Sequence, residues 1–173
     1  LVVCPTTLMY NWEAEIRKFT PELTHFIHHG PKRAVSPRAF KGYDIVITTY
    51  GTMRSDIKVF NAHPFDYAIL DESQAIKNPA SQSAKAALLI NAKHKLCLSG
   101  TPVQNNTFDL YAQMNFLNPG MLGSREAFMN DFATPIDKFR EDEVIKQLKQ
   151  LTYPFILRRT KEQVAKDLPE KTE

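Results

Sequence analysis

The chain has 173 residues, enough for one domain with a substantial core and too few for two complete ones. Apolar residues make up 43% and charged residues 24%, a globular composition that excludes wholly disordered and fibrous proteins. The formal net charge of +3 is compatible with an anionic partner but does not require one. None of the six glycines precedes a lysine, so the sequence contains no Gly-Lys-Ser/Thr phosphate-binding loop.

Cysteine usage and hydropathy exclude two further classes. Cys4 and Cys97 lie far apart without a C-x-x-C pair, so we expect neither a disulfide framework nor a four-cysteine zinc site. The apolar runs are only a few residues long, far short of a membrane span. The chain begins at Leu1 inside an apolar run typical of a strand, so we expect a piece of a longer protein.

Short apolar runs alternate with helical patterns through the first hundred residues. The predicted strands are 1–4, 24–28, 44–50, 65–70 and 95–98. After the first strand, a helical apolar stripe is formed by Leu8, Trp12, Ile16 and Phe19. Asn78 and Pro79 predict the start of another helix, which runs to about Asn91. This alternation favours an α/β domain with a mostly parallel sheet flanked by helices.

The pattern becomes purely helical after Pro102. Leu110, Met114 and Leu117 mark one helix, and Ser124 is positioned to cap a second that carries Phe128 and Phe132. A third is marked by Val144, Ile145, Leu148 and Leu151. We therefore divide the chain into an α/β body (1–105), a helical protrusion (106–152) and a charged tail (153–173).

Polar clusters follow four of the five predicted strands. They are Pro5-Thr6-Thr7, Thr48-Thr49-Tyr50, Asp71-Glu72 and Ser99-Gly100-Thr101. Ligands bind at the carboxyl ends of parallel strands, so these clusters predict one functional edge. An apolar strand that ends in Asp-Glu is typical of a nucleotidase acidic site, where the Asp holds magnesium and the Glu polarises water. The alternative is a solvated acidic pair at a strand end.

Three stretches carry a family resemblance: L-V-V-C-P-T-T-L-M-Y-N-W-E-A-E-I-R-K-F, F-D-Y-A-I-L-D-E-S-Q-A-I-K-N and K-L-C-L-S-G-T-P-V-Q-N. Together with the ending P-F-I-L-R-R-T-K-E-Q-V-A-K-D-L-P-E-K, they resemble the Swi/Snf family of helicase-like, ATP-dependent DNA translocases. The resemblance covers almost the whole chain. It implies a RecA-like first lobe without its phosphate-loop strand and helix, then a helical protrusion, then the start of an interlobe linker.

The resemblance also implies roles for individual residues. The acidic pair would be catalytic, with Asp71 binding magnesium through water, Glu72 activating the attacking water and Gln74 supporting them. Coupling between ATP and DNA would involve Ser99, Gly100, Thr101 and Gln104. The DNA backbone would be gripped by Pro5, Thr6, Thr7, Thr48, Thr49 and Tyr50, with Lys77 and Asn78 as further positions of the family motif.

Two departures from the family pattern matter. Many members have Ala-His or Gly-His after the acidic pair, whereas this chain has Ser73-Gln74, a form that resembles the bacterial branch. Glutamine can donate and accept hydrogen bonds but cannot be protonated as histidine can. The phosphate loop and the second lobe with its arginine finger are also missing. We therefore expect ATP and magnesium in the longer parent, none bound to this chain and no ATP turnover by this chain alone.

The expected partners are the backbone of double-stranded DNA, a second RecA-like lobe and a possible protein substrate on DNA, with no membrane. The parent would be cytoplasmic and nucleoid-associated if bacterial and nuclear if eukaryotic. One alternative is a non-enzymatic binding module that keeps the lobe. Another is a DEAD-box-type RNA helicase lobe, against which S-G-T-P and L-R-R-T-K argue.

Three other signals favour ordinary structural roles. Trp12 on its helical stripe is typical of a core residue rather than a base-stacking platform. Cys97 lies in a buried strand, where a nucleophile is not expected. His25, His28 and His29 have no acidic residue or cysteine near them in sequence, so we predict no metal site.

Overall fold

The fold was established from a computed structural model that describes residues 1–33, 35–100 and 107–159. Five strands form one sheet: β1 (Val2–Cys4), β2 (His25–His28), β3 (Ile45–Thr49), β4 (Phe65–Leu70) and β5 (Ala92–Cys97). Their order is β2-β3-β1-β4-β5, and every neighbouring pair is parallel. The predicted parallel α/β sheet is confirmed.

Helices connect the strands and then continue alone. They are α1 (Met9–Phe19), α2 (Tyr50–Ser55), α3 (Ile57–Ala62), α4 (Gln82–Leu88), α5 (Thr107–Leu117), α6 (Arg125–Phe128) and α7 (Asp142–Thr152). Short 3-10 helices span Thr6–Leu8, Pro37–Phe40, Ser73–Ile76 and Tyr153–Phe155. Two π-helical segments, Met129–Ala133 and Pro135–Phe139, follow α6. No helix in these described ranges is long and apolar enough to span a membrane.

Successive strand side chains point to opposite sides, and the central strands β1 and β3 are buried on both faces, whereas the edge strand β5 is largely exposed. On one face, Cys4 and Ile47 pack against Met9 and Ile16 of α1. On the other face, the core includes Val3, Val46, Phe60, Leu70 and Ala87. The central strands therefore lie between two apolar layers, and the last residues of β1 and β4, Cys4 and Leu70, are fully buried.

The helical region has its own apolar cluster. Tyr111 and Met114 of α5 pack with Phe128 and Leu148, and the Tyr111 and Phe128 ring centroids lie 4.8 Å apart. Phe116 of the same helix belongs instead to the core beneath the sheet. Helix α5 thus contributes side chains both to the core of the sheet and to the apolar cluster of the helical region. The boundary predicted near 105 falls between the described residues and stays a prediction.

One local expectation is wrong, and two apolar residues of the predicted helices are exposed. The helix predicted from Asn78 begins at Gln82, because the Ser81 hydroxyl accepts from the Ala84 N–H and caps it, whereas the Asn78 side chain accepts from Ala80 in a turn. Phe19 is 67% exposed, since α1 ends there beyond the sheet. Leu151 is 51% exposed near the end of α7.

Candidate active site

The carboxyl ends of the strands meet at one edge of the sheet. Cys4 is in register with Thr49, and Leu70 is in register with Cys97. The polar segments that follow these strands therefore begin side by side. This arrangement is the one that the sequence predicts for a ligand-binding edge of a parallel sheet.

Asp71 lies at the centre of this edge and is held from several directions. Its backbone N–H donates to the Val3 carbonyl at 2.8 Å, continuing the pairing of β4 with β1. The Trp12 indole Nε1 donates to Asp71 Oδ2 at 2.8 Å, and the Glu72 N–H donates to Oδ1 at 2.9 Å. The Tyr50 hydroxyl donates to the Asp71 carbonyl at 2.8 Å. The carboxylate is thus fixed in position by neutral donors.

Glu72 begins a hydrogen-bonded chain that crosses to the end of β5. Gln74 Nε2 donates to Glu72 Oε2 at 2.6 Å, and the Ser99 hydroxyl donates to Gln74 Oε1 at 3.2 Å. The Ser73 N–H also donates to the Leu98 carbonyl at 2.9 Å. The structure therefore brings together three of the predicted site residues, Glu72, Gln74 and Ser99.

The backbone of Glu72 is left-handed, with φ +49° and ψ +53°. A residue other than glycine is uncommon there, and such strain costs on the order of 1–3 kcal/mol. The conformation turns the chain from β4 directly into the 3-10 helix Ser73–Ile76. That turn allows the side chain of Gln74 to reach the carboxylate of Glu72.

The segment after β1 presents two exposed threonines. Pro5 is half-buried, and Thr6 and Thr7 are exposed in a 3-10 turn closed by a 3.0 Å bond from the Leu8 N–H to the Pro5 carbonyl. Both threonines lie beside the carboxyl edge of the sheet. Their contact with a nucleic-acid backbone stays a prediction.

The two threonines at the end of β3 are buried, unlike the exposed threonines after β1. Thr48 is fully buried, and its hydroxyl donates to the His28 carbonyl at 2.9 Å. Thr49 is 4% exposed, and its hydroxyl accepts from the Thr52 N–H at 3.2 Å, which caps α2. Both hydroxyls are used inside the fold, so neither is presented to an external phosphate in this conformation.

Tyr50 also points inward rather than outward. Burial raises the pKa of its phenol well above the ordinary value, so the hydroxyl remains protonated and can donate to Asp71. Burial likewise raises the pKa of Cys97 to about 12 and that of Cys4 to about 11. These thiols are poor nucleophiles, in agreement with the sequence interpretation of Cys97.

The remaining predicted residues lie at the margin of the site. Gly100 is exposed at the end of the described strand region, and Thr101 and Gln104 lie outside the described residues. Lys77 and Asn78 are exposed after the 3-10 helix that follows the acidic pair. No described hydrogen bond joins their side chains to Asp71 or Glu72, so their roles stay predictions.

Trp12 is the site residue that sequence reasoning missed. It is half-buried against the sheet face that α1 covers, as expected for a core residue, but its indole N–H also bonds to Asp71. A buried indole N–H needs an acceptor, and Trp12 lies in the first turn of the helix that follows the strand end. That combination was the available signal for a partner at the carboxyl edge.

The three histidines each contact a different side chain. His28 is fully buried, and its Nε2 lies 2.8 Å from Asp56 Oδ2, while His25 lies 3.3 Å from Glu13 and His29 lies 3.0 Å from Thr52. Within the described ranges, no three of the His, Cys, Asp and Glu side chains are grouped to bind a metal. Their partners are acids and hydroxyls distant in sequence.

Comparison with known proteins identifies the family and the fold. The profile of the SNF2-related domain matches residues 1–173. The chain belongs to the SNF2-related domain family. The structure is similar to the Sulfolobus solfataricus SWI2/SNF2 ATPase core in complex with dsDNA, with a TM-score of 0.86 and 39% identity over 97% of this chain. The RecA-like architecture expected from the motifs is confirmed.

The curated relatives are much longer than this chain. It is 37% identical over its full length to the putative ATP-dependent helicase/translocase YwqA of Bacillus subtilis, of which it covers 19%. It is also 37% identical over 99% of its length to the TATA-binding protein-associated factor MOT1 of Saccharomyces cerevisiae, of which it covers 10%. It covers 35% of the similar Sulfolobus chain. The chain thus corresponds to a minor part of each.

Proposed function

We propose that this chain is part of the first lobe of an ATP-dependent motor that translocates along double-stranded DNA. Asp71 would bind the magnesium of Mg-ATP through water, and Glu72 would polarise the attacking water. The observation that carries the proposal is the Asp71-Glu72 pair at the end of β4, connected through Gln74 to Ser99. The SNF2-related family and its ATPase neighbour support this assignment.

The donor set fits a hydrated magnesium ion. Mg²⁺ prefers oxygen ligands, keeps several waters and takes one or two protein carboxylates together with substrate phosphates. A carboxylate has about four acceptor sites, and the Trp12 and Glu72 bonds use two of those on Asp71. When bound, the ion would neutralise charge on the nucleotide phosphates. Asp71 would hold it and the backbone around β4 would orient Asp71.

Glu72 is the group positioned to act on water. Gln74 donates to one of its carboxylate oxygens, which restricts the rotation of the side chain. Gln74 has no titratable group, so Glu72 would be the member of this pair that takes up a proton. Ser99 connects the pair to the S-G-T-P segment, which we propose relays the nucleotide state to the DNA groove.

DNA contact would come first from the exposed turn after β1. Thr6 and Thr7 present hydroxyls at the carboxyl edge, and hydroxyls and backbone N–H groups contact phosphates without reading bases. We propose that Thr48 and Thr49 contribute by shaping the start of α2, while the neighbouring backbone approaches the DNA. A sequence-independent grip suits a translocase, because every step along the duplex presents the same phosphates.

The proposal requires parts that this sequence does not contain. A phosphate-binding loop with its lysine and a second lobe with an arginine finger would complete the ATP site. We refer to the longer polypeptide that supplies them as the complete protein. Its substrate would be a protein bound to DNA, as the name of the MOT1 relative suggests, or DNA itself.

The test is Glu72→Gln in the complete protein, with exposed Glu15→Gln of α1 as the matched control. DNA-stimulated phosphate release should fall by about 10²- to 10⁴-fold in Glu72→Gln, because the water loses its base, while ATP binding persists. The control should match wild type, and the 173-residue chain alone should show no turnover. Normal turnover in Glu72→Gln would contradict the assignment. DNA binding without any ATP binding would favour the non-enzymatic alternative.

A further inference from the structure

The contact between Trp12 and Asp71 joins two parts of the chain that are 59 residues apart in sequence. Trp12 is the single tryptophan of the sequence. Its ring packs with Met9, Ile16 and Ile47 against the sheet, and this packing limits the rotamers that the side chain can adopt. The indole N–H is therefore held in a nearly fixed direction, with Asp71 Oδ2 as its acceptor at 2.8 Å.

The bond orients the carboxylate without neutralising it. The Trp12 indole donates to one oxygen and the Glu72 N–H donates to the other, so rotation of the carboxylate would break both bonds. Neither donor carries a charge. No Lys, Arg or His of the described residues lies within ion-pair distance of Asp71. Among these residues, Asp71 thus has no cationic side-chain partner that would compete with an incoming cation.

Helix α1 connects this carboxylate to the exposed turn after β1. Met9, the first residue of α1, directly follows the 3-10 turn Thr6–Leu8 that carries the exposed threonines. Trp12 lies one turn farther along the same helix. A shift of the turn would therefore move the indole, and with it the hydrogen bond to Asp71.

We propose that Trp12 is a positioning residue. Its indole fixes the Asp71 carboxylate for the magnesium of Mg-ATP and connects that carboxylate to α1. This inference rests on the proposed function, since that function supplies the ion. Groups that orient a metal ligand typically contribute 10- to 100-fold in metal affinity or activity. Removing the indole donor should therefore raise the magnesium requirement rather than unfold the protein.

The hydrogen bond itself can be tested in the 173-residue chain by NMR. With one tryptophan, a ¹⁵N-labelled sample gives one indole N–H resonance. Asp71→Ala should shift this resonance upfield and speed its exchange with water, whereas Tyr10→Phe, at an exposed position of the same helix, should leave it unchanged. An indole resonance that Asp71→Ala leaves in place would overturn the inference.

The positioning role is tested in the complete protein with an isosteric residue. Replacing Trp12 by 3-benzothienylalanine exchanges the indole N–H for sulfur and keeps the shape of the ring. The packing is therefore preserved, whereas Trp12→Phe would also remove part of the buried ring. The Mg²⁺ concentration for half-maximal turnover at saturating ATP should rise about 10- to 100-fold, while Tyr10→Phe should leave it unchanged. An unchanged magnesium requirement would overturn the inference.

The two proposals fail in distinguishable ways. Normal turnover in Glu72→Gln would contradict the proposed function, and a response of the indole resonance to Asp71→Ala would still establish the Trp12–Asp71 bond. An unchanged magnesium requirement in the isosteric variant, alongside inactive Glu72→Gln, would contradict the role of Trp12 and leave the proposed function intact.

Discussion

Asp71 and Asp56 both lie near the carboxyl edge of the sheet, but their surroundings differ. Asp56 is 8% exposed, and both of its oxygens accept from Arg33: Nε lies 2.5 Å from Oδ2 and Nη2 lies 2.9 Å from Oδ1. The buried His28 ring lies 2.8 Å from the same Oδ2. Asp71 is half-buried, and its carboxylate accepts from an indole and a backbone N–H.

This difference separates a structural carboxylate from one available to a ligand. The hydrogen bond from Arg33, followed by that from His28, lowers the pKa of Asp56 and keeps it charged inside the fold. A buried carboxylate needs such a partner, because an unpaired buried charge is costly. Asp71 is oriented equally well but is not neutralised. The charge state of the donors thus distinguishes the two sites, although both are networks of hydrogen-bonded side chains.

The largest expected effect is on ATP turnover when Asp71 is neutralised, and the same change at Asp56 is the comparison. Asp71→Asn in the complete protein should lower ATP turnover by more than about 100-fold, because the amide oxygen can still accept from Trp12 but the side chain loses the charge proposed to bind magnesium. Asp56→Asn should leave turnover within about twofold when assayed well below its melting temperature. Equal losses of turnover in the two variants would remove the contrast between the two sites.

Stability should show the opposite order. Asp56→Asn should lower the free energy of unfolding by about 1–3 kcal/mol, because buried partners lose their acceptor, whereas Asp71→Asn should change it little. The folded-state pKa of Asp56 is lowered, so its contribution is complete above the unfolded pKa near about 3.9 and is lost as the pH falls through the folded value.

Urea unfolding of wild type and Asp56→Asn should therefore give a constant difference near neutral pH that shrinks below about pH 4. A difference that grew on acidification would show that the Asp56 carboxylate is not stabilised in its charged form.

The smallest effects should separate the two threonine segments. Thr49→Ala should cost about 1 kcal/mol of unfolding free energy through loss of the α2 cap, and Thr49→Ser should restore most of it. Exposed Thr6→Ala should leave stability unchanged and weaken DNA binding of the complete protein. Its salt dependence should stay the same, because a hydroxyl releases no counterions. Unaltered DNA affinity would remove Thr6 from the proposed contact surface.

Local patterns predicted most elements because neighbouring residues determine them. The Ser124 hydroxyl caps α6 by accepting from the Ala127 N–H, as its position before an apolar helical pattern indicates. The β-branched run through Val46 and Ile47 forms a buried strand. Asn78 followed by Pro79 predicts a helix start by the same rule, yet Ser81 is the residue that caps α4. Two good caps three residues apart cannot be ranked without the packing of the helix that they begin.

The site was predictable only in outline for the same reason. The parallel strands place the backbones of Asp71, Thr49 and Ser99 at one edge, and this placement does not depend on where their side chains point. The inward direction of Thr48, Thr49 and Tyr50 depends on how α2 packs onto the strand ends, and periodicity does not contain that information.

The sequence by itself determined the family, the parallel α/β body and the edge at which the acidic pair lies, because these follow from motifs and from the alternation of short apolar runs with helical patterns. Only the tertiary structure decided which carboxylate pairs with a cationic side chain and which accepts from neutral donors. Asp56 meets Arg33 and Asp71 meets Trp12 across 23 and 59 residues, respectively, and such pairings are set by how helices pack against the sheet. The sequence contains both carboxylates, and the fold assigns them different partners.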